Sequence, residues 1–307
     1  MRKFNRTIVI VATLAWLAFA LHNCDSSARR EASVPVSSPT LITIGASTIE
    51  VTFEAGNLDL SNDQILRWIT AAASAVTTYY GRFPVHRLRL SIVPVAGRRG
   101  IIHGITFGEN GAIIRMFVGQ SASEADLLDD WKMTHEMVHL AFPSVARDHH
   151  WIEEGIATYV EPIARVEAGE LEVRSVWRGL VGGLPNGIPG PGDKGLDYTP
   201  TWGRTYWGGA LFCLTADVEI RRRTNNRYGL QDALRAIVAA GGNIEVEWPL
   251  TRALEEGDRV TGTHVLMELN ERMAAEPVSP DLAALWGQLG VEPGLNGVEF
   301  NDRAPLV

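Results

Sequence analysis

The sequence predicts an α+β fold, in which an N-terminal mixed β-sheet with one helix is followed by a mainly α-helical half. Between residues 41 and 118, short segments of alternating and β-branched residues predict strands, interrupted by a single amphipathic helix. From residue 121 onwards, apolar residues recur at helical spacing. The composition, 46% hydrophobic and 21% charged over 307 residues, is globular and sufficient for one large domain or two smaller ones.

The β-rich part is expected to span residues 41–120. A helix capped by Ser61 or Asn62 and running to about Tyr80 interrupts it, with its apolar residues on one face. The stretch 109–111, Glu-Asn-Gly, predicts a hairpin turn between the last two strands. The predicted strands are Leu41–Ile44, Thr48–Phe53, Arg87–Val95, Ile101–Phe107 and Ala112–Val118.

The helical part is expected to span residues 121–300. Ser121 or Ser123 can cap its first helix, which Pro143 ends, and a second helix runs from Ile152 until Pro162 ends it. The Gly- and Pro-rich stretch 179–203 predicts a long loop beside the cleft, and such loops are usually functional or mobile. Further predicted helices are Thr205–Arg223, Leu230–Ala240, Trp248–Glu255, Thr263–Ala275 and Pro280–Leu289.

The first 20 residues predict a signal peptide. Residues 1–6 are basic, residues 7–19 form an uncharged apolar run, and Ala-Phe-Ala at 18–20 is a small-x-small cleavage site. The run is short for a membrane span, which needs about 20 apolar residues. Residues 21–40 predict a flexible linker. We therefore expect an exported protein, periplasmic or extracellular; the alternative is a membrane anchor formed by uncleaved residues 7–20.

Charge and cysteine content limit the partners. A formal net charge of -8 and a single short basic cluster, Arg221–Arg223, argue against nucleic-acid binding. The two cysteines, Cys24 and Cys213, do not indicate a disulfide framework. Asn23 precedes Cys24 where a lipidated cysteine usually follows a small residue, which argues against a lipoprotein. We predict Cys213 to be a small buried apolar residue.

The segment around His135 predicts a metal site on a helix. His135 and His139 are four residues apart, so both imidazoles lie on one side and can bind one metal ion. Glu136 lies about 100° around the helix, close enough to hold a water against that metal without binding it. A catalytic zinc keeps three protein ligands and one open position, so a third ligand is needed. Glu154 is the best candidate.

A second motif at residues 151–158, Trp-Ile-Glu-Glu-Gly-Ile-Ala-Thr, makes a resemblance specific. His-Glu-x-x-His followed by Trp-aliphatic-x-Glu-Gly-x-Ala-Ser/Thr resembles the gluzincin metallopeptidases. In those enzymes the Glu before Gly is the third zinc ligand, which implies Glu154 rather than Glu153 here. The resemblance also implies a Zn²⁺ cofactor and a thermolysin-like catalytic half.

A third segment, residues 204–211, is similar to the glycyl aminopeptidase family. The family pattern, roughly Tyr-x-Lys-Gly-Ala followed by a Leu-rich helix, corresponds here to Tyr-Trp-Gly-Gly-Ala starting at Tyr206. In the wider gluzincin clan this Tyr donates its phenol to the oxyanion, which implies that role for Tyr206. The family's Lys is Gly208 here, so any role of its ammonium is lost. The resemblance covers residues 125–240.

Together these motifs imply a zinc-dependent peptidase that acts on a peptide or protein substrate. His135, His139 and Glu154 hold zinc. Glu136 takes a proton from the attacking water as general base, and Tyr206 stabilises the oxyanion.

Two further sets of residues are candidates for supporting roles. Thr158, one turn after Glu154, is a candidate donor that orients the ligand carboxylate. The aminopeptidases grip the substrate amine with an edge-strand Glu, but residues 100–106 contain none. His103 and Gly104 are the nearest substrate-binding candidates, so the choice between aminopeptidase and endopeptidase stays open.

Three alternatives compete with a peptidase. The first is a non-catalytic zinc protein of the same fold that acts as an exported binding module; loss of Glu136 or Tyr206 would indicate it, and both are present. The second is a hydrolase for non-peptide substrates on the same zinc site. The third is a secreted interaction module without metal, which metal analysis of the purified protein would separate.

Overall fold

The computed structural model describes residues 38–294 and 297–306. The predicted signal peptide and nearly all of the predicted linker lie outside the described residues. A mixed β-sheet is followed by a helical half, which confirms the predicted α+β class. Within the described ranges, no helix combines the length and the apolar character that crossing a bilayer requires.

A five-stranded sheet forms the first half of the fold. Its strands are β1 (Thr40–Ile44), β2 (Ser47–Phe53), β3 (Arg87–Val95), β4 (Ile101–Phe107) and β5 (Ala112–Gly119). In the order β1-β2-β3-β5-β4, the three inner strands are parallel and the two edge strands antiparallel to their neighbours. The predicted strands are confirmed, with ends that differ by at most one residue.

Alternation of residue types explains how the sheet buries one face. In β3, Leu88, Leu90 and Ile92 are buried, whereas Arg87 and Arg89 are exposed. A shift of one residue in pairing would turn these arginines into the core, so the pattern fixes the register.

A tight turn places β4 at the edge of the sheet. Asn110 and Gly111 have φ angles of 66° and 94°, which these residue types tolerate better than others. The predicted hairpin is therefore confirmed. As a result β4 pairs with β5 on one side only, and its residues contact the helix that carries the histidines.

The helix within the β-rich part, α1 (Asn62–Tyr80), belongs to the same core as the sheet. The Ser61 hydroxyl accepts from the Gln64 N–H, and the Gln64 side chain accepts from the Ser61 N–H. This reciprocal cap satisfies two N–H groups that have no partner within the helix. Gly81 ends the helix with a φ of 76°.

The second half is helical, with α4 packed against α1, α3, α5 and α6 as its central element. Its helices are α2 (Glu124–Leu128), α3 (Lys132–His139), α4 (His150–Glu167), α5 (Val173–Gly183), α6 (Gly209–Arg223), α7 (Leu230–Ala239), α8 (Leu250–Thr261), α9 (Val265–Met273) and α10 (Leu282–Leu289). A hairpin that the sequence did not predict follows, formed by β6 (Val291–Gly294) and β7 (Gly297–Phe300).

The prediction of one helix from Ser123 through the histidines is wrong. Ser123 caps α2, as expected, but the chain leaves the helix and starts again at α3. The buried Asp130 carboxylate accepts from the Met133 N–H at 3.0 Å. A carboxylate that accepts from a backbone N–H three residues later interrupts the preceding helix, α2. The same hydrogen bond caps the start of the next helix, α3. The histidines therefore stand on a short helix of their own.

The prediction that Pro162 ends the second helix is also wrong. Helix α4 continues to Glu167 with Pro162 inside it. Proline removes one backbone hydrogen bond and costs about 3 kcal/mol in a helix interior. The packing of α4 on four other helices outweighs that local cost.

The predicted loop 179–203 is more regular than expected. Helix α5 extends to Gly183, a 3₁₀ turn covers Leu184–Gly187, and a π-helix at Gly203–Gly208 leads into α6. The residues between the 3₁₀ turn and the π-helix are held by an ion pair and by backbone hydrogen bonds. Buried Arg204 pairs with Asp193 at 2.8 Å, and backbone hydrogen bonds join residues 196 and 197 to the end of α9.

Candidate metal centre

Three side chains converge where α3 passes α4. His135 and His139 lie one turn apart, so their imidazoles project to one side of α3. Glu154 faces them from α4, with its Oε2 3.2 Å from His135 Nε2 and 3.6 Å from His139 Nε2. His135 and Glu154 are buried and His139 is partly buried. The structure thus brings together the three predicted metal ligands.

These donors fit a zinc ion. Tetrahedral zinc, with bonds of about 2.0–2.2 Å, places neighbouring donor atoms about 3.3 Å apart. The distances of 3.2 and 3.6 Å in this site are close to that value. Two imidazoles and one carboxylate also form a donor set used by catalytic zinc with an open fourth position.

A contact between two glycines sets the position of Glu154. A Cβ on Gly155 would lie 2.3 Å from the carbonyl carbon of Gly209, and a Cβ on Gly209 would lie 2.2 Å from the Trp151 oxygen. The backbones of α4 and α6 therefore touch, which only glycine permits. Because Gly209 follows closely after Tyr206, the same contact brings Tyr206 next to the metal donors.

Burial and charge act in opposite directions on these groups. Burial lowers the pKa of His135 and so favours the neutral imidazole, which is the form that binds metal. At His139 burial also opposes protonation, but the carboxylates of Glu154 and Glu136 outweigh it and raise the pKa. At Glu154 burial opposes ionisation, but hydrogen bonds from the imidazoles outweigh it and lower the pKa. The acidic surroundings that favour a proton on His139 also favour a cation between these donors.

His150 also belongs to this site, although neither sequence motif includes it. Its Nε2 lies 3.2 Å from Glu154 Oε1, the oxygen that is not shared with His135 and His139, and its Nδ1 lies 2.9 Å from Glu153. By holding the second oxygen, His150 orients the carboxylate toward the other two imidazoles. The signal was present in the sequence, since residues 150 and 154 are four apart on one helix.

Two predicted residues do not make the contacts expected of them. Thr158 lines a neighbouring cavity, and the orienting contact expected of it is made by His150. His103 is exposed and stacks on Phe117, with ring centroids 4.2 Å apart. On β4 it faces opposite to Gly104, so the structure does not bring the His103 side chain to the site.

Glu136 is held against the edge strand. The Thr106 hydroxyl donates to Glu136 Oε2 at 2.6 Å. Gly104 provides the space, because a Cβ there would lie 2.4 Å from Glu136 Cγ. Gly104 and Thr106 therefore form the wall behind the Glu136 carboxylate. Alternation along β4 places both on one face, but the sequence alone does not say which helix that face meets.

Tyr206 lies in the π-helix Gly203–Gly208. Its ring is within 22° of parallel to the His135 ring, with centroids 6.3 Å apart. Burial, together with the charges of Glu154 and Glu136, raises the pKa of Tyr206 to about 12. The phenol is therefore protonated at neutral pH and available as a donor. Single π-turns occur frequently at functional sites.

Sequence comparisons give no relative: no protein-family model matches the chain, and no curated protein matches it. Solved structures with the same architecture exist. An aminopeptidase N family protein from Idiomarina loihiensis aligns with 83% of this chain and 49% of its own, at 11% identity and a TM-score of 0.61. A variant of an M1 zinc metallopeptidase from Deinococcus radiodurans aligns with 80% of this chain and 53% of its own, at 16% identity and a TM-score of 0.52.

A variant of a two-domain M1 zinc metallopeptidase bound to L-arginine gives the same picture, with 13% identity, coverage of 80% and 52%, and a TM-score of 0.52. The chain thus spans about half the length of the solved structures that it resembles. The described chain itself carries the mixed sheet, the helical half and the His-His-Glu cluster. The described chain therefore has the fold of the M1 zinc metallopeptidases.

Proposed function

We propose that this protein is a zinc-dependent peptidase. The observation that carries the proposal is one cluster in which the donor atoms of His135, His139 and Glu154 lie within 4.8 Å of one another, with Glu136 and Tyr206 beside them. The likeness to the M1 zinc metallopeptidases in fold supports it.

The residues divide the chemistry of peptide hydrolysis among them. When bound, zinc would lower the pKa of a water and polarise the scissile carbonyl. Glu136 accepts the proton of the attacking water and passes it to the leaving amine. Tyr206 donates its phenolic proton in a hydrogen bond to the oxyanion that develops on the carbonyl oxygen.

The surroundings of Glu136 suit this role. A hydrogen bond from a hydroxyl to a carboxylate is stronger than one between neutral groups. The Thr106 hydroxyl makes such a bond to Oε2 and restrains the direction of the carboxylate, so Oε1 is the oxygen that we propose accepts the proton. A pre-oriented base loses less freedom on reaching the transition state.

The finer assignments extend this proposal. The similarity of residues 204–211 to the glycyl aminopeptidase family supports a peptide or protein as substrate. Residues 100–106 contain no glutamate to grip a substrate amine, so the choice between aminopeptidase and endopeptidase is decided by the products of a peptide digest. The basic and apolar N-terminus supports an exported protein, periplasmic or extracellular.

Metal analysis combined with a digest tests the proposed function. We expect the purified protein to contain about one zinc per chain and to cleave a mixed peptide library, with products identified by mass spectrometry. The products would also show whether cleavage is internal or one residue from an end. Well under one zinc per chain, or a zinc-loaded protein that leaves every peptide intact, would contradict the proposal.

Replacing Tyr206 by phenylalanine should lower kcat by about 10²- to 10³-fold, the usual effect of removing one oxyanion donor. Zinc content should stay unchanged, because the phenol is not a ligand. The matched control is Tyr198→Phe, which changes a tyrosine that is 65% exposed and outside the cluster. Unchanged turnover in Tyr206→Phe would remove this residue from the reaction.

A further inference from the structure

A cavity of about 510 Å³ opens beside the metal donors. His135 and Tyr206 both form part of its wall, so it is continuous with the proposed active site. The role inferred for this cavity rests on the proposed peptidase function and concerns the part of the substrate that the cavity would hold.

Three tryptophans form much of the cavity wall: Trp131, Trp202 and Trp207. Trp131 and Trp202 are 46% and 65% exposed, although large aromatic side chains are usually covered. Trp207 is held in place from behind, because a Cβ on Gly183 would lie 2.0 Å from its ring. The site therefore offers broad aromatic faces, two of which are still open to solvent.

One face of α5 forms another part of the wall. Val176 and Leu180 are buried apolar residues, and Ser175 and Gly179 complete the same face. A Cβ on Gly179 would meet no atom within 4 Å. Gly179 thus leaves open a volume that any longer side chain at this position would occupy.

The carboxylate in the wall is already paired. Glu161 Oε1 accepts from Arg165 Nη1 at 3.0 Å, and both side chains are buried. Burial also raises the pKa of Glu161 to about 7. Arg165 lies outside the wall but offsets the charge of this carboxylate, which weakens its attraction for a cationic guest, and an anionic guest would meet Glu161 itself. The lining therefore disfavours charged guests of either sign.

We infer that this cavity receives a large uncharged side chain of the substrate, aromatic or long aliphatic, on a residue that flanks the scissile bond. Three indole faces favour an aromatic guest through offset or edge-on contacts. The volume lies in the range of sites that enclose small organic groups. Gly179 and Trp202 are the residues of this chain that set the preference.

Substrate pairs test the inference directly. Peptides that differ only in phenylalanine or alanine, placed on each side of the cleaved bond in turn, are compared by kcat/KM. Burying a side chain of this size favours the larger peptide on the order of 10- to 100-fold in one of the two positions. Gly179→Leu should reduce that ratio about tenfold or more, because the leucine fills the cavity.

The chain provides a matched control on the same helix. Gly182 is exposed on α5, lies outside the cavity wall, and also has open space around its Cβ position. Gly182→Leu should leave the ratio of kcat/KM for the phenylalanine and alanine peptides as it is in the unaltered protein. Trp202→Ala is a second test with little risk to folding, since its side chain is mostly exposed, and it should also reduce the ratio.

Binding gives a readout that does not depend on turnover. The Kd of the phenylalanine peptide for zinc-loaded Glu136→Gln protein should be lower than that of the alanine peptide, with quenching of tryptophan fluorescence. Equal kcat/KM for both peptides in both positions, a preference for lysine or arginine, or a ratio that Gly179→Leu and Trp202→Ala leave unchanged would overturn the inference. These outcomes all involve cleaved peptides; failure of the proposed function would instead appear as no cleavage at all.

Discussion

Replacing Glu136 by glutamine is expected to lower kcat/KM for peptide hydrolysis by about 10²- to 10⁴-fold, the range that a general base contributes. The amide matches the carboxylate in size, so the contacts with Gly104 and Thr106 can remain. It cannot accept the proton of the attacking water. Zinc content should not change, because Glu136 is not among the three converging donors. Peptide-hydrolysis assays measure the loss of kcat/KM, and metal analysis of the same preparation measures the zinc content.

Thr106→Val is the control for this prediction. It removes the hydrogen bond to Glu136 Oε2 but keeps the carboxylate. We expect a smaller loss of about tenfold, since one positioning hydrogen bond contributes about 1.5 kcal/mol when it reaches a charged group. A Glu136→Gln protein that hydrolyses peptides at the rate of the unaltered protein would show that the base is another group.

Strands and helices with a clear period could be predicted because the information is local. The alternation in β3 and the Asn-Gly pair before β5 are each visible within a few neighbouring residues. Where tertiary packing competes with local preference, prediction failed. Pro162 stays inside α4 because that helix is packed on several others, and α5 forms despite Gly179, Gly182 and Gly183. Glycine weakens a helix, but only glycine at position 183 leaves room for the ring of Trp207.

The candidate site shows the same division. His135 and His139 are one turn apart, so their convergence follows from the helix alone. Glu154 and Tyr206 could be placed only through the resemblance to known peptidases, because the contact of Gly155 with Gly209 that aligns them joins distant parts of the chain. Thr106 was missed since its role depends on which face of β4 meets α3.

Replacing Glu154 by glutamine is expected to remove most bound zinc, and hydrolysis with it. The anionic oxygen that lies 3.2 and 3.6 Å from the two imidazoles becomes part of a neutral amide, which is a poor zinc ligand. Zinc at 100 times its Kd stabilises a folded protein by about 2.7 kcal/mol. For a domain of this size that corresponds to a rise in Tm of about 5 to 10 °C. Adding zinc to chelator-treated protein should produce this rise, and Glu154→Gln should lose it.

Glu153→Gln is the matched control, because the two carboxylates are neighbours on α4 and only Glu154 faces the imidazoles of His135 and His139. The Glu153 amide can still accept from His150, so zinc content and Tm should stay close to those of the unaltered protein. His150→Ala should lie between the two variants. It leaves all three donors in place but frees the second oxygen of Glu154, and loss of such an orienting partner typically costs about 10- to 100-fold in metal affinity. If Glu153→Gln lost zinc and Glu154→Gln kept it, the third ligand would be Glu153, and α4 would have to present its other face to α3.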